Sequence, residues 1–473
     1  MKILYAAAEC APFIKSGGLG DVAQSLPKAF ASLGHETAVV LPLYKSVRSK
    51  FADTLTYVTN FFVPLSWRQV YCGVFTCELS GVRCWFIDNE YYFDRDNIYG
   101  DFDDCERFAF FSKAALEMLP HIGFYPDVIN SNDWQCALIS VFFRAFYSHL
   151  DGYGSIKQVF TIHNIEYQGK ASFDFLREVL GMDEYFMRFL SFGGCINLMH
   201  AAILLSDRVT TVSRTYAEEI TDAYYGRGLD GVLRENRHKL SGIVNGIDTG
   251  LFDPWRDTDI YVNYGMGKPA DKWKNKAKLQ EETGLDVNAE APVIGMVTRL
   301  AEHKGLDLVL RVVHEILARG VQLVLLGTGD AKYEDFFRQL SWKYPQRVSS
   351  NIFFDNTLAR RIYAGADLFL MPSMSEPCGL SQMIAMRYGC IPVVRETGGL
   401  KDTVFPINPQ SPTAGGFTFK SYNAHDMLDA VNRALDFYYV DKTNLKKLIR
   451  ENMKCDFGWD ASAREYISLY ESI

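Results

Sequence analysis

The chain has no surplus of positive charge, no CxxC pair among its cysteines, no uninterrupted apolar run of membrane-spanning length and no low-complexity tract. Each absence closes a class of function. With 49 Lys and Arg against 57 Asp and Glu, the formal net charge is −8, so no broad basic face is available to displace counterions from nucleic acid or to meet anionic lipid. Neither nucleic acid nor a membrane is expected as a partner. An anionic ligand would have to be held by local devices: backbone N–H nests, helix N-termini and a few placed cations. The 10 cysteines, scattered from Cys10 to Cys455, read as free thiols in a reducing compartment, which favours the cytoplasm. No stretch approaches the ~18 apolar residues of a spanning helix. Met1 to Ile14 has some likeness to an export signal, but Glu9 interrupts it and no small-residue cleavage site follows. No His or Cys cluster has zinc spacing, and no metal or cofactor is expected.

At 473 residues, 48% hydrophobic and 22% charged, the chain exceeds what one core usually supports, and two domains are predicted. The opening reads as strand, glycine turn and helix. An apolar run from Ile3 to Ala8 is broken by Pro12 and Gly17-Gly18, after which Leu19, Val22, Ala23, Leu26, Ala29, Phe30 and Leu33 mark one helix face. Short apolar runs then recur at 37–41, 84–87, 128–130, 159–162, 209–212 and 243–244, most of them followed by a polar turn and a helical pattern. This is the signature of a doubly wound parallel sheet. Between about Asn245 and Lys272 periodicity dissolves, as in a linker or domain edge. A second strand, loop and helix series opens at Val293. The expected division is 1–245, 246–456 and a C-terminal helix, 457–473, returning to the first domain. The fold class is α/β, two Rossmann-like domains with parallel sheets facing across a deep cleft.

In such sheets ligands meet the loops at the carboxyl ends of the strands. In Lys15-Ser16-Gly17-Gly18-Leu19-Gly20-Asp21, glycines allow close backbone approach, helix N–H groups point outward and Lys15 adds charge. Asn132-Asp133-Trp134 and His163-Asn164 each follow a strand. Arg299 and Lys304 share a loop on which two cations suit a diphosphate and its departure as a leaving group. Glu376-Pro377-Cys378-Gly379-Leu380 and Thr397-Gly398-Gly399-Leu400 again set glycine at helix starts, and the Glu376 carboxylate suits sugar hydroxyls rather than phosphate. Taken singly, each of these also has an ordinary structural reading as a turn, a cap or a solvated charge.

Taken together and in order, KSGGLGDV from Lys15, HNIEYQG from His163, NGID from Asn245, TRLAEHKG from Thr298, EPCGL from Glu376 and TGGLKDTV from Thr397 resemble the bacterial glycogen synthases and plant starch synthases, retaining glucosyltransferases of the GT-B fold. The resemblance implies metal-independent transfer of glucose from ADP-glucose to the non-reducing end of an α-1,4-glucan, with glycogen or a malto-oligosaccharide as acceptor. It implies catalytic roles for His163, Arg299, Lys304 and Glu376. Substrate contacts are implied for Lys15, Gly17, Gly18, Asp21, Asp133, Asn164, Asn245, Cys378, Gly379, Leu380, Thr397, Gly398 and Gly399, the last turn offering backbone N–H groups to the phosphates. Phe354 stands where the family usually has a base-stacking Tyr. Retention without a nominated nucleophile favours a front-face route in which the leaving phosphate takes the acceptor's proton.

The chain departs from the family at Ile384, His200, Ala202, His303 and Met374-Ser375. Asp101-Phe102-Asp103 has the DxD form that holds Mn²⁺ in another class of sugar transferases, but no further ligand pattern surrounds it. Tyr92, Tyr99 and Phe102 are open both to glucan stacking and to ordinary packing. The residues alone leave UDP-glucose open as donor, and a non-catalytic glucan-binding paralogue is the remaining alternative. Such a paralogue would be expected to lose Lys15, Lys304 or Glu376, and all three are present.

Overall fold

The computed structural model describes residues 1–267 and 270–473, and the chain divides by its contacts into two units, 1–246 with 459–473 and 247–458. In the first unit, nine strands form one sheet: β1 (Lys2–Ala6), β2 (Glu36–Pro42), β3 (Thr56–Leu65), β4 (Arg68–Leu79), β5 (Val82–Asp88), β6 (Val128–Asn132), β7 (Lys157–Ile162), β8 (Arg208–Thr211) and β9 (Leu240–Gly242), in the order β9-β8-β7-β6-β1-β2-β5-β4-β3. Six of these strands and β1 itself run parallel, and the order reverses beside β1, which neighbours both β2 and β6. That reversal opens a crevice at the carboxyl ends of β1 and β6.

Helix α1 (Gly18–Ser32) buries Leu19, Val22, Ala23, Leu26 and Phe30, the stripe expected from the three- and four-residue steps. The run at 243–244 is not itself a strand. Pairing stops at Gly242, although the Ile243 N–H still donates to the Thr211 carbonyl at 2.9 Å.

An antiparallel hairpin, β3 and β4, extends the sheet with Leu65 facing Arg68 across a two-residue turn. The sequence reading did not include it. Phe61, Val63, Leu65, Cys72 and Val74 face inward while Phe62 and Tyr71 face solvent. Such alternation lacks the continuous apolar run that marks a strand buried on both faces.

The second unit holds β10 (Val293–Val297), β11 (Gln322–Leu326), β12 (Val348–Asn351), β13 (Leu368–Met371), β14 (Ile391–Arg395) and β15 (Phe417–Phe419), all parallel, in the order β12-β11-β10-β13-β14-β15. Helix α2 (Leu306–Ala318) packs Leu306, Val309, Val312, Val313 and Ile316 into its core. The stretch read as a linker, 245–272, includes residues 268 and 269, which lie outside those described. Several of its other residues are tied down by isolated anchors. The buried Asp257 carboxylate holds Arg360 at 3.0 Å and accepts from the Tyr388 hydroxyl, and the Tyr264 hydroxyl donates to the Tyr388 carbonyl at 2.7 Å. Isolated anchors leave no period, which is why the sequence showed none. No described helix is long and apolar enough to cross a membrane.

Helix α3 (Trp459–Glu471) belongs to the first unit, where Tyr466 and Tyr470 meet Phe30 of α1 edge-on, with ring centroids 6.1 and 5.8 Å apart. The Tyr470 hydroxyl is buried without a hydrogen-bond partner among the described residues. Tyr470→Phe is therefore expected to leave stability unchanged or raise it, because an unsatisfied polar atom is removed. Tyr470→Ala should cost about 3–5 kcal/mol through the cavity it leaves. Urea denaturation of the full chain checks both, and a Phe variant as damaged as the Ala variant would contradict the packing.

Candidate active site

In the first unit the loop after β1 folds back on itself. The Cys10 and Ile14 N–H groups each donate to the other's carbonyl at 3.0 Å, which delivers the chain to Lys15 and the glycine turn. The turn is not an open anion cradle. The buried Glu9 carboxylate fills it, accepting from the Ser16 backbone N–H, from Ser16 Oγ at 2.7 Å, from the Gly17 N–H at 3.2 Å and from the Tyr99 hydroxyl at 2.7 Å. The anion that the Ser16 and Gly17 amides bind is a side chain of the fold.

Lys15 Nζ lies 2.8 Å from both carboxylate oxygens of Asp21. A side chain at Gly20 would place its Cβ 2.5 Å from Lys15 Cβ, whereas one at Gly17 would meet open space. Gly20, rather than Gly17, is thus the glycine that lets Lys15 lie along α1. Gly18 is the first helical residue.

Asp133, at the end of β6, adopts a left-handed φ of 55°, uncommon outside glycine and found where surrounding structure holds a residue in place. Its Oδ1 accepts the backbone N–H groups of His163 at 2.7 Å and Asn164 at 3.2 Å, joining the β6 and β7 loops. Burial pushes the Asp133 carboxyl up to about 7, against the lowering effect of those two hydrogen bonds, and Glu9 adds a small push upward. Burial also presses His163 down to about 3, so its imidazole is neutral. Asn164 Oδ1 caps the turn by accepting the Glu166 N–H at 3.0 Å. Asn245 is buried, with Oδ1 lacking a hydrogen-bond partner among the described residues.

In the second unit Lys304 Nζ bridges both oxygens of Glu376, at 3.0 and 2.8 Å, and Ser373 Oγ donates to the same carboxylate at 2.9 Å. Burial alone would raise the Glu376 pKa. The charge of Lys304, the hydrogen bonds from Lys304 and Ser373 and the charge of His303 outweigh it, so the group stays below its ordinary value and ionised. Arg299, five residues before Lys304, is exposed and has no ion pair among the described residues. The two loops are tied by the Met374 N–H donating to the His303 carbonyl at 2.9 Å.

The glycine turn after β14 is pressed against this pair. A Cβ on Gly398, whose φ is +45°, would stand 1.9 Å from the Glu376 carbonyl oxygen. Its neighbours' amides are largely engaged in the fold: Thr397 N–H donates to Arg395, Gly399 N–H to Glu376 and Pro377, and Leu400 N–H to Thr397. Gln382 Nε2 ties the Cys378 carbonyl at 3.1 Å and the Gly379 carbonyl at 2.8 Å, and Leu380 precedes the short helix Ser381–Arg387. The Phe354 ring, in the loop after β12, is 75% exposed and open for stacking.

The model of the starch synthase catalytic domain family matches residues 2–235, and that of the group 1 glycosyl transferases matches residues 278–452. Glycogen synthases of Finegoldia magna and Clostridium acetobutylicum are 50% and 48% identical to this chain, each over the whole of both chains. The chain belongs to the glycogen synthase family. The catalytic domain of starch synthase IV from Arabidopsis thaliana, solved with ADP and acarbose, superposes with a TM-score of 0.92 at 35% identity, covering 99% of this chain and 98% of that one. A sucrose-phosphate synthase from Thermosynechococcus elongatus, 18% identical with a TM-score of 0.62 over 100% of this chain and 98% of that one, shares the fold. The two units are those of the GT-B architecture, and the chain is a glycosyltransferase.

Within this family member the unusual residues have settled positions. His200 is stacked on Phe192 with ring centroids 4.5 Å apart, and its Nδ1 lies 2.6 Å from the Phe189 carbonyl. Burial lowers its pKa against the effect of that bond, so it serves packing rather than as a standing cation. Ile384 and Ala202 are core residues. Asp101 and Asp103 both bind Arg95, at 3.2 and 2.5 Å, which accounts for the DxD pattern as an ion-pair cluster. Tyr92 is buried, Tyr99 holds Glu9, and Phe102 is fully exposed.

Glu9 and Ser373 were not picked out as site residues by the sequence, and Asn132 was noted only as the start of the Asn132-Asp133-Trp134 motif. Each lies in a strand-end segment already flagged, but its role depends on which atoms the fold brings to it.

Because the folded chain holds a proton on Asp133 up to about pH 7 while the unfolded chain releases it in the ordinary carboxyl range, this group's contribution to stability falls as pH rises through that window. Asp133→Asn retains the Oδ1 acceptor and abolishes the titration. The variant's stability relative to the parent should therefore increase by about 3–4 kcal/mol between about pH 4 and pH 8. Urea denaturation across that range is the measurement. A difference that does not change with pH would show an ordinary carboxylate.

Proposed function

We propose that the chain transfers glucose from ADP-glucose to the non-reducing end of an α-1,4-glucan with retention at the anomeric carbon, building glycogen from a soluble, cytoplasmic location. The observation that carries this reading is the Lys304–Glu376 pair with exposed Arg299 on the same loop: a fixed cation, a free cation and an ionised carboxylate at the carboxyl ends of β10 and β13. Cations placed there suit a departing nucleoside diphosphate, and electrostatic stabilisation of a leaving group is among the largest contributions to catalysis.

Arg299 and Lys304 take the diphosphate, with Lys15 as a further contact. Glu376, held ionised, accepts hydrogen bonds from glucose hydroxyls. Phe354 offers an aromatic face to the adenine. Asp133, Asn164, Asn245 and the Cys378-Gly379-Leu380 turn line the sugar. The retained configuration is assigned to a front-face route. The bond from the anomeric carbon to the diphosphate oxygen breaks, the acceptor hydroxyl attacks from the same side, and its proton passes to the departing phosphate. The 10 cysteines are all free thiols, in keeping with a reducing compartment.

The test is glucan elongation by the purified chain with ADP-glucose and with UDP-glucose, with and without glycogen. Elongation with ADP-glucose is expected. Preference for UDP-glucose would overturn the donor, and no elongation with either would overturn the activity. Lys304→Ala and Glu376→Ala should each lower kcat by about 10²–10⁴-fold with the fold retained, and near-normal turnover would refute their roles. A glucosyl adduct trapped on an Asp or Glu would refute the front-face route.

A further inference from the structure

Asn132 closes β6 and is completely buried. Its Nδ2 donates to the Ala6 carbonyl at 2.9 Å and to the Asn130 carbonyl at 3.1 Å. Carbonyl oxygens only accept, so the amide cannot be turned round, and Oδ1 must face the other way. There it lies 2.8 Å from His163 Nε2. Between a fixed acceptor and a ring nitrogen, the hydrogen has to belong to the nitrogen. A neutral imidazole carries one N–H, and the proton on Nε2 leaves Nδ1 with a bare lone pair. The ring's stem is fixed as well, since the His163 backbone N–H donates to Asp133 Oδ1 at 2.7 Å.

We propose that Asn132 is a positioning residue that locks His163 in the Nε2–H tautomer, so that Nδ1 is presented as a hydrogen-bond acceptor for a hydroxyl of the sugar substrate. The identity of that hydroxyl's owner rests on the transferase reading above; the tautomer does not. His163 is half-buried, which leaves it reachable by a ligand, and no hydrogen bond to Nδ1 is made by the described residues. Asp133 holds the His163 backbone and Glu9 acts on Asp133, while the effect resolved on the ring itself is burial. With burial depressing its basicity, His163 orients a hydroxyl and does not take its proton. That leaves the acceptor's proton to the departing phosphate.

Spectra of the full chain with ¹⁵N-labelled histidine test this, because the two neutral tautomers and the imidazolium have different pairs of nitrogen shifts. The His163 signals are identified by their loss in His163→Gln. The expected result is the neutral Nε2–H form throughout about pH 5–8. An Nδ1–H tautomer, or an imidazolium in that range, overturns the proposal. Saturation with ADP-glucose should move the Nδ1 signal and leave the Nε2–H signal in place. An unmoved Nδ1 signal in a chain that still elongates glucan overturns the hydroxyl assignment.

Asn132→Leu and Asn132→Asp test the positioning role. Leu should yield a mixture of tautomers and a kcat lower by about tenfold. Asp, a carboxylate against Nε2, should bring the imidazolium into about pH 5–7. A folded variant that keeps the parent's spectrum overturns the role of Asn132. If neither variant folds, the parent's spectrum alone decides the tautomer. A failed elongation assay with the Nε2–H form present contradicts only the transferase reading.

Discussion

A carboxylate taken out of water is costly unless charge or hydrogen bonds replace its hydration, and Glu9, Asp133 and Glu376 lie in the segments that follow β1, β6 and β13. Glu9 is met by two backbone N–H groups and two hydroxyls. Glu376 is met by a lysine and a serine and stays ionised. Among the described residues Asp133 is met by two backbone N–H groups alone, and burial pushes it up to about 7. The loops that carry function take their shapes from satisfying these groups. The glycine turn wraps Glu9, the β6 and β7 loops meet through Asp133, and the two loops bearing Lys304 and Glu376 meet through their ion pair.

That constraint also distributes the chemistry. The first unit offers neutral or nearly neutral groups: His163, whose basicity burial depresses, Asp133, pushed up to about 7, and a buried Asn245. Its one cation at the glycine turn, Lys15, is already balanced by Asp21. The second unit offers the Lys304–Glu376 pair, whose charges balance, and exposed Arg299 on the same loop. An overall charge of −8 is therefore compatible with a diphosphate site, since the field that matters is set within a few ångströms.

Much of this was legible beforehand, for definite reasons. Buried parallel strands write continuous apolar runs, so Val293–Val297 and Leu368–Met371 coincide with the strands observed. Helix faces write three- and four-residue steps, so α1 and α3 stand where the pattern put them. The hairpin β3–β4 was illegible because apolar residues such as Phe62 and Tyr71 stand on its solvent face as well, blurring the alternation of a half-buried strand. The 245–272 stretch hid its order because single anchors such as Asp257 leave no period. At the site, residue types and spacing pointed to Lys304, Glu376, Asp133 and His163. They could not show that Glu9 fills the first glycine turn, that the amides after Thr397 are largely engaged, or that Asn132 faces His163. Those facts depend on which atom meets which.

The most direct test of this account is the charge state of its carboxylates, read by ¹³C-carboxyl spectra of the labelled chain between about pH 4 and pH 8, with Asp133→Asn and Glu376→Gln used for assignment. Asp133 is expected to titrate near 7, while Glu376 titrates below the ordinary carboxyl range and is ionised around neutrality. Asp133 ionised at the bottom of that range, or Glu376 titrating above the ordinary carboxyl range, would contradict the arrangement on which the proposed chemistry stands.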